Sequence, residues 1–313
     1  MKIVFSLALF FGLLQAQILS TQIAPFLNGD QVEGITLLDQ KILGFKEIGG
    51  LKFSGISDAA YEKRAKKLYL VSDEGKLFVF DASFADKIET LKAVTGATLV
   101  RKNGKKFQKW CHDSEGLTLD SRGRLYVSFE GNAKVGRFNS DGRMVKKYTI
   151  PKRLRDPKNY RSRNKSLEAL VWHPKYGLLT AAEWPLKHKG KKDQTIYALS
   201  GKEWHFQAEA EQKSAVVAME VMDDGNVLVM ERSYTGLLKP FVVTLKKVYL
   251  GACENKQKMC KSELLLKMNS HSGWLIDNFE GLARVGKHRY VMVSDDNDNF
   301  FQKTLLIYFE VKH

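Results

Sequence analysis

Acidic residues end five short apolar segments of the 313-residue chain, in what reads as a repeat. Each segment follows another strand-like one that opens near a glycine or alanine, as in EGLTLDSRG followed by LYVSFE. The separations from Gly55, Gly116, Ala169, Ala218 and Gly281 to the acid are 18, 14, 14, 13 and 14 residues. The acids are Asp73, Glu130, Glu183, Glu231 and Asp295. Because the same charge recurs in the same place, we expect these carboxylates to share one region of the fold.

Glutamates also begin the first segment of three repeats, since Glu115, Glu168 and Glu280 each precede the acid of their own repeat by 15 residues. The start of one antiparallel strand lies beside the end of the next, so both acids of a pair should meet at one mouth of a channel. Such a cluster requires protonation, basic partners or a hard divalent cation, and Ca²⁺ with its about six to eight oxygen ligands suits it best. The predicted calcium ligands are Asp73, Glu130, Glu168, Glu183, Glu231, Glu280, Asp295 and Asp296, the last from the oxygen-rich run SDDNDN.

The alternative to a metal site is structural hydrogen bonding, with the acids paired to Arg232 or to backbone amides. The run SDDNDN could equally be a solvated turn, because it lacks the glycine and distal glutamate of an EF-hand.

Residues near the acids are candidates for catalysis and substrate binding. We predict Glu115 and His112 as catalytic residues, and Arg161, Arg163, Asn164 and Arg232 as substrate-binding residues. A lone histidine is more often structural than catalytic. The motif G-x-S-x-G is absent from the sequence, which argues against covalent serine catalysis and favours metal-assisted hydrolysis of an anionic ester.

The elements that must position these residues are strands. Each of the five repeats continues into a third strand, as in KLFVFDA and TLLIYFEV, and the first four continue into a fourth, so each reads as an antiparallel meander. The sequence therefore predicts an all-β protein, a β-propeller of five blades, or six if the long first repeat contains a degenerate one. The segment 35–48 can supply the missing last strand and close the ring. A β-sandwich is the competing fold.

The N-terminal residues 1–16 have the layout of a secretory signal peptide, and residues 17–313 then form a single domain. A retained signal anchor is the alternative. Export to the periplasm or medium would allow a disulfide between Cys253 and Cys260, which leaves Cys111 as a free thiol. No later segment has the apolar length of a membrane helix.

The formal net charge of +15, from 50 Lys and Arg against 35 Asp and Glu, favours anionic partners. The basic stretches lack the aromatic residues and motifs of a nucleic-acid binder, so we expect an anionic small-molecule ester, a phosphorylated ligand or an anionic membrane surface as partner. We expect the protein to be a monomer.

Several of these motifs together resemble those of the phytase-like family, also described as esterase-like activity of phytase. They are SGISDAAYE with YLVSDEG, SEGLTLD with YVSFEGN, LEALVWHP with LLTAAEWP, and FEGLARV with VMVSDDND, and the resemblance covers roughly residues 49–311. It implies an exported propeller that hydrolyses phosphoric esters with calcium, with the pairs Glu115 and Glu130, Glu168 and Glu183, and Glu280 and Asp295 as its site.

The first and fourth repeats depart from the family pattern, with Ser54 and Val217 where a glutamate is expected. Two further functions therefore stay open: a non-catalytic ligand- or protein-binding propeller with structural calcium, and a propeller lactonase with one channel metal.

Overall fold

A computed structural model describes residues 17–25, 31–108, 111–162, 165–236, 238–254 and 259–312. The predicted signal peptide lies outside these ranges. The described residues are mainly β-strand with one short α-helix, α1 (Lys152–Arg155), so the predicted all-β class is confirmed. None of the described helices is long and apolar enough to cross a membrane.

The strands follow in chain order as β1 (Ile18–Ser20), β2 (Gln31–Val32), β3 (Ile35–Leu43), β4 (Glu47–Ile48), β5 (Leu51–Lys52), β6 (Ile56–Glu62), β7 (Lys67–Ser72), β8 (Lys76–Phe84), β9 (Ile88–Thr98), β10 (Ser114–Leu119), β11 (Leu125–Phe129), β12 (Lys134–Phe138), β13 (Met144–Tyr148), β14 (Leu167–His173), β15 (Gly177–Ala182), β16 (Asp193–Ala198), β17 (Glu203–Gln207), β18 (Ala215–Val221), β19 (Val227–Ser233), β20 (Val242–Glu254), β21 (Met259–Asn269), β22 (Asn278–Arg284), β23 (Arg289–Asp295) and β24 (Leu305–Val311).

Most of these strands belong to five antiparallel units of four strands. Units 1 to 4 run outward in chain order, as β6 to β9, β10 to β13, β14 to β17 and β18 to β21. Unit 5 consists of β22, β23, β24 and β3, with β24 paired to β3 from Leu305 opposite Ile42 to Val311 opposite Ile35. The prediction that the segment 35–48 supplies the missing last strand is therefore confirmed for β3, whereas Glu47–Ile48 at its end forms β4 and pairs with β5.

The first strands of the five units surround one channel. β6 contacts β10 and β22, β14 lies between β10 and β18, and β18 contacts β22, so the order is cyclic. Where these strands end, all five units contribute to one cavity of about 600 Å³, whose lining includes Glu62, Asp120, Trp172, Glu220 and Arg284. The arrangement is that of a β-propeller, as the sequence predicts.

Burial differs between the strands of a unit, and this difference determines which strands can be recognised in the sequence. The second strands, such as LYVSF of β11, are buried on both faces because each sheet packs against its neighbours, so they read as continuous apolar runs. The outer strands β9 and β13 alternate between partly and fully exposed residues and carry many charges. A disulfide joins Cys253 to Cys260 across β20 and β21, and Cys111 is a buried free thiol.

A single buried carboxyl group ties three first strands together. Asp58 in β6 is fully buried, and its oxygens accept hydrogen bonds from the amides of Ala59 (2.8 Å), Leu117 in β10 (2.7 Å) and Leu282 in β22 (3.0 Å). Burial raises the pKa of Asp58 well above its usual range. The first strands of adjacent units do not pair with each other as a β-ladder. The hydrogen bonds to the carboxyl of Asp58 join these units instead.

Replacing Asp58 by alanine should therefore destabilise the whole propeller. Three buried amides would lose their acceptor, and each unsatisfied group costs about 1–3 kcal/mol. We expect Asp58→Ala to lower the free energy of unfolding by at least about 3 kcal/mol, measured by chemical denaturation. Asp141→Ala, which removes one exposed turn hydrogen bond to Arg143, is the matched control. A loss no greater than that of the control would contradict this role.

Candidate functional site

The first strands begin at one end of the channel, which we call the acidic mouth. Each first strand has a register irregularity near this end, a β-bulge at which one residue has no partner in the second strand. A bulge of this kind turns the side chain of the extra residue out of the strand pattern. The residues at the five bulges are Ser57, Glu115, Glu168, Val217 and Glu280.

The observed register corrects the sequence repeat in two units. Gly281 pairs with Val293, two residues before Asp295, and Ala218 pairs with Met230, so the equivalent position of unit 4 is Arg232. The prediction that Glu231 lies with the other acids at the mouth is therefore wrong by one residue, because Arg232 occupies the equivalent position. The spacing of that repeat is 13 residues, against 14 in units 2, 3 and 5, and this difference was the signal for the shift.

In unit 1 the repeat begins later than the sequence suggests. Asp58 pairs with Val71, so Asp58 is the equivalent of Gly281 and the bulge falls at Ser57, not at Ser54. Asp73 keeps its predicted place at the acidic mouth, because its amide donates to the carbonyl of Gly55 at the start of the first strand (2.9 Å).

The side chain of Glu231 lies inside unit 4, since neighbouring residues of a strand point to opposite faces. Its Oε2 accepts from the amide of Glu209 (2.9 Å) and lies 3.3 Å from Nζ of Lys246. Burial raises the pKa of Glu231, although Lys246 opposes this. Glu231 is thus held by structural contacts with β20 and with the segment between β17 and β18.

Two cations neutralise one half of the acidic mouth. Nη2 of Arg232 lies 3.3 Å from Oε1 of Glu183, and its Nη1 donates to Glu280 and to Asn278. Nζ of Lys165 lies 2.7 Å from the other oxygen of Glu183. The sequence analysis predicts Arg232 both as a structural partner of the acids and as a substrate-binding residue. Its contacts are those of a structural partner, and its role in substrate binding stays a prediction.

The other half of the acidic mouth holds carboxylates without a paired cation. Carboxylate oxygens of Asp113, Glu115 and Glu130 all lie within 4.8 Å of one another, and those of Glu130, Glu168 and Glu183 do the same. Among the described residues, no Lys or Arg forms an ion pair with Asp113, Glu115, Glu130 or Glu168. We call these four residues, from units 2 and 3, the open sector.

Burial and mutual repulsion raise the pKa values of these acids. The pKa of Glu130 rises to about 8 through burial and the nearby Glu183 and Asp113. The pKa of Glu115 rises well above its usual range through burial, then Glu168 and Glu130. The pKa of Glu168 rises for the same reasons, with Glu183 the strongest neighbour. Without a cation, the open sector therefore holds protons near neutral pH.

The acids of units 1 and 5 lie at the same mouth in different surroundings. Burial raises the pKa of Asp73 to about 7 and that of Asp295 to about 8, with Glu280 the strongest neighbouring charge in both cases. Asp296 binds the amides of Gly55 (3.0 Å) and Asp298 (3.1 Å), so its carboxylate holds a turn and joins unit 5 to unit 1. A metal role for Asp296 stays a prediction.

The remaining predicted site residues have limited contacts. Nδ1 of His112 lies 3.4 Å from the carbonyl oxygen of Asp73, which places the ring at the acidic mouth. The guanidinium of Arg161 donates to the carbonyls of Pro185 (2.8 Å) and Lys189 (2.7 Å), so its hydrogen bonds hold a loop. Arg163 and Asn164 lie outside the described residues, and their role in substrate binding stays a prediction.

The loop CHDSEGL before β10 places Asp113 at this mouth in the sequence, but Asp113 was not predicted as a ligand, and Lys165 was not predicted as a partner. Asp113 lies opposite Glu130, whose amide donates to its carbonyl (2.8 Å), and Lys165 occupies the corresponding loop of unit 3. Lys165 also precedes a first strand by two residues, so a comparison of these loops could have identified it as well.

Close packing explains the glycine of the recurring Glu-Gly-Leu motif. A Cβ atom on Gly116 would lie 2.5 Å from the amide nitrogen of Leu170, and one on Gly281 would lie 2.7 Å from Cα of Asp58. Each glycine therefore lets the first strand of the next unit approach, directly after the bulge that carries the glutamate.

Comparisons with known proteins agree with the resemblance in the motifs. The family model described as phytase-like, esterase-like activity of phytase, matches residues 51–298. No curated protein matches the chain. Among solved structures, the Swd1 β-propeller domain of Myceliophteria thermophila is 10% identical with a TM-score of 0.43, covering 94% of this chain and 96% of its own. Virginiamycin B lyase of Staphylococcus aureus is 10% identical with a TM-score of 0.40, covering 93% and 98%. Neither likeness carries a conclusion about function.

The protonated carboxyls predict how stability depends on pH. The folded state keeps protons that the unfolded chain releases near about pH 4, so their stabilisation is complete below that pH and is lost as the pH rises to about 8. In chelator, the free energy of unfolding should fall between about pH 5 and about pH 8 by about 1.4 kcal/mol per pH unit for each retained proton, and the melting temperature should fall with it.

Glu130→Gln should flatten this fall, because the amide cannot release a proton. Glu62→Gln, at the other end of the channel, should leave it unchanged. A melting temperature that rises over the same interval would contradict the protonated state of the acidic mouth.

Proposed function

The chain belongs to the phytase-like family, described as esterase-like activity of phytase, and on this basis we propose that it is an exported, calcium-dependent hydrolase of phosphoric or other anionic esters. The observation that carries the proposal is the open sector, in which Asp113, Glu115 and Glu130 bring carboxylate oxygens together without a basic partner among the described residues. We also infer that each unit is one blade, which gives five; the cyclic contacts of the first strands support this count.

The donor set fits a hard divalent cation. The open sector offers only carboxylate oxygens, which Ca²⁺ prefers, and contains no described cysteine or histidine ligand that would favour a softer metal. Asp113, Glu130 and Glu168 would hold the ion, with Glu115 beside it as a proton-transferring group. When bound, it would screen an anionic ester and polarise it towards attack by water.

Residues around the open sector can supply binding and proton transfer. Lys165 and Arg232 place positive charge beside it, which would attract the anionic group of the substrate. Glu115 is our choice for the group that transfers a proton, because burial among other acids raises its pKa. His112 is the second candidate; donation from Nδ1 to the carbonyl of Asp73 would leave Nε2 to accept a proton.

Export is proposed on two observations. The N-terminal layout is that of a signal peptide, and the disulfide between Cys253 and Cys260 suits an oxidising compartment. We infer a periplasmic or secreted location.

A binding role without catalysis is the second candidate, and one observation favours it. The acids also hold the units together, since Oε1 of Glu130 accepts from the amide of Ser166 (3.0 Å) and Asp296 joins units 5 and 1. A calcium ion could then stabilise the propeller around a ligand site.

The test measures bound metal and phosphate release on the same samples. With calcium, the protein should release phosphate from phytate or an aryl phosphate, and chelation should abolish this. Glu115→Gln should lower kcat by about 10²–10⁴-fold if it transfers the proton, with calcium still bound. Glu130→Gln should weaken calcium binding at least about tenfold, since a shared carboxylate ligand is lost.

Glu62→Gln is the control, because it changes a carboxylate at the other end of the channel. Bound calcium without turnover of any ester would support the binding role. Unchanged turnover after chelation would remove calcium from the reaction.

A further inference from the structure

A cavity of about 590 Å³ beside unit 2 has a basic lining, and we call it the basic cavity. It lies between the loop that joins β9 to β10 and the strands β12 and β13. Its lining includes four cations, Arg101, Lys102, Lys134 and Lys147. Among the described residues, the lining contains no Asp or Glu, and the predicted substrate-binding residues Arg161 and Arg232 do not belong to it.

One of these cations is buried without an acidic partner. Lys134 is 4% exposed, and its Nζ donates to the carbonyl of Cys111 (2.6 Å) and lies 3.9 Å from the centre of the Phe129 ring. A carbonyl oxygen and an aromatic face stabilise a cation but leave its charge uncompensated. Burial, and then the neighbouring Lys147 and Arg101, lower the pKa of Lys134 to about 8.

The acids of the adjoining segments do not supply the missing negative charge. Asp113 lies two residues after Cys111 and opposes the fall in the pKa of Lys134. Its carboxylate belongs to the open sector, where it lies within 4.8 Å of two other carboxylates. Asp141, in the turn between β12 and β13, is exposed and accepts a hydrogen bond from the amide of Arg143 (3.0 Å). None of the four cations forms an ion pair with a described residue, so the basic cavity has an excess of positive charge.

Backbone hydrogen bonds hold the loop of the basic cavity in place. Val100 donates its amide to the carbonyl of Gly142 (2.8 Å) and accepts from the amide of Met144 (2.9 Å), which attaches the loop to the start of β13. Arg101 donates its amide to the carbonyl of Lys105 (2.9 Å), which closes a tight turn. The cations are therefore brought together before a ligand binds, and an anion that enters would relieve their mutual repulsion.

The lining suits a phosphate group. Lys and Arg side chains donate charge-assisted hydrogen bonds to phosphate oxygens. The side-chain amides of Asn103, Gln108 and Asn132 can donate further hydrogen bonds. Half-buried Phe107 and Met144 add apolar area, and the cavity is larger than a single oxyanion needs, so a small organic group attached to the phosphate also fits.

We propose that the basic cavity binds a doubly charged oxyanion, either free phosphate or the phosphate group of a small organic molecule, at a site outside the acidic mouth. The anion would offset the buried charge of Lys134. The proposal does not rest on hydrolysis at the open sector, and its failure would leave that proposal unchanged.

The test is isothermal titration calorimetry at neutral pH, at low salt and in chelator, so that anions bound through calcium do not contribute. Inorganic phosphate should bind at one site, more tightly than acetate, and added salt should weaken its binding. Tighter binding of phenyl phosphate than of inorganic phosphate would identify an organic phosphate as the ligand, whereas equal binding would identify the free ion. Both results would support the site.

The double variant Lys102→Gln/Lys147→Gln should weaken phosphate binding at least about tenfold, which is the effect of losing one charge-assisted hydrogen bond. Lys105→Gln/Lys146→Gln is the matched control, because it removes the same charge from the same loop and strand but outside the lining. Lys146 lies over the ring of Tyr148, on the opposite face of β13 from Lys147. The control should bind phosphate like the wild type, and both double variants should keep the wild-type melting temperature.

Lys134→Met, which keeps the length of the buried side chain and removes its charge, should abolish phosphate binding. If this change unfolds the protein, the two double variants of exposed lysines decide the question. Absence of phosphate binding by the wild type, equal losses in the two double variants, or acetate bound as tightly as phosphate would overturn the proposal.

Discussion

An excess of buried carboxyl groups over paired cations at one end of the channel is the constraint on which the site depends. Charged groups in a low-dielectric region must be neutralised by protons, by basic side chains or by a metal. The acidic mouth uses the second solution on one side, where Arg232 and Lys165 pair with Glu183 and Glu280. On the other side the acids of the open sector can be neutralised only by protons or by a metal. The paired cations and the candidate metal site therefore lie on different sides of the mouth.

The fold creates this excess through backbone geometry. A bulge at the start of each first strand turns one side chain towards the mouth, and in units 2 and 5 the glycine after it lets the next unit approach. The buried carboxyl of Asp58 holds β6 to both neighbouring strands. The same features that close the propeller therefore place the acids, so folding and the chemistry of the mouth are coupled.

Much of the fold could be predicted because the second strands are buried on both faces and read as apolar runs that end in an acid. The closing strand could be predicted because the last unit has three strands and the segment near residue 35 has the pattern of a fourth. The acids at the mouth were harder to predict. A one-residue change in hairpin length places Arg232 where Glu231 was expected and moves the side chain of Glu231 to the opposite face. Asp58 could not be recognised as a structural residue, since its three amide partners come partly from strands of other units. The pairing of Lys165 with Glu183 likewise depends on a loop conformation that no repeat pattern specifies.

The position of a bound cation tests most directly whether the open sector is a metal site. Crystals grown with calcium, measured at a wavelength where calcium scatters anomalously, would locate the ion without reference to activity. We predict one anomalous peak among the carboxylates of Asp113, Glu115 and Glu130, with Arg232 still paired to Glu183 and Glu280. A peak confined to the turn around Asp296, or none in the open sector at a pH above about 8 where its Glu130 is ionised, would contradict it.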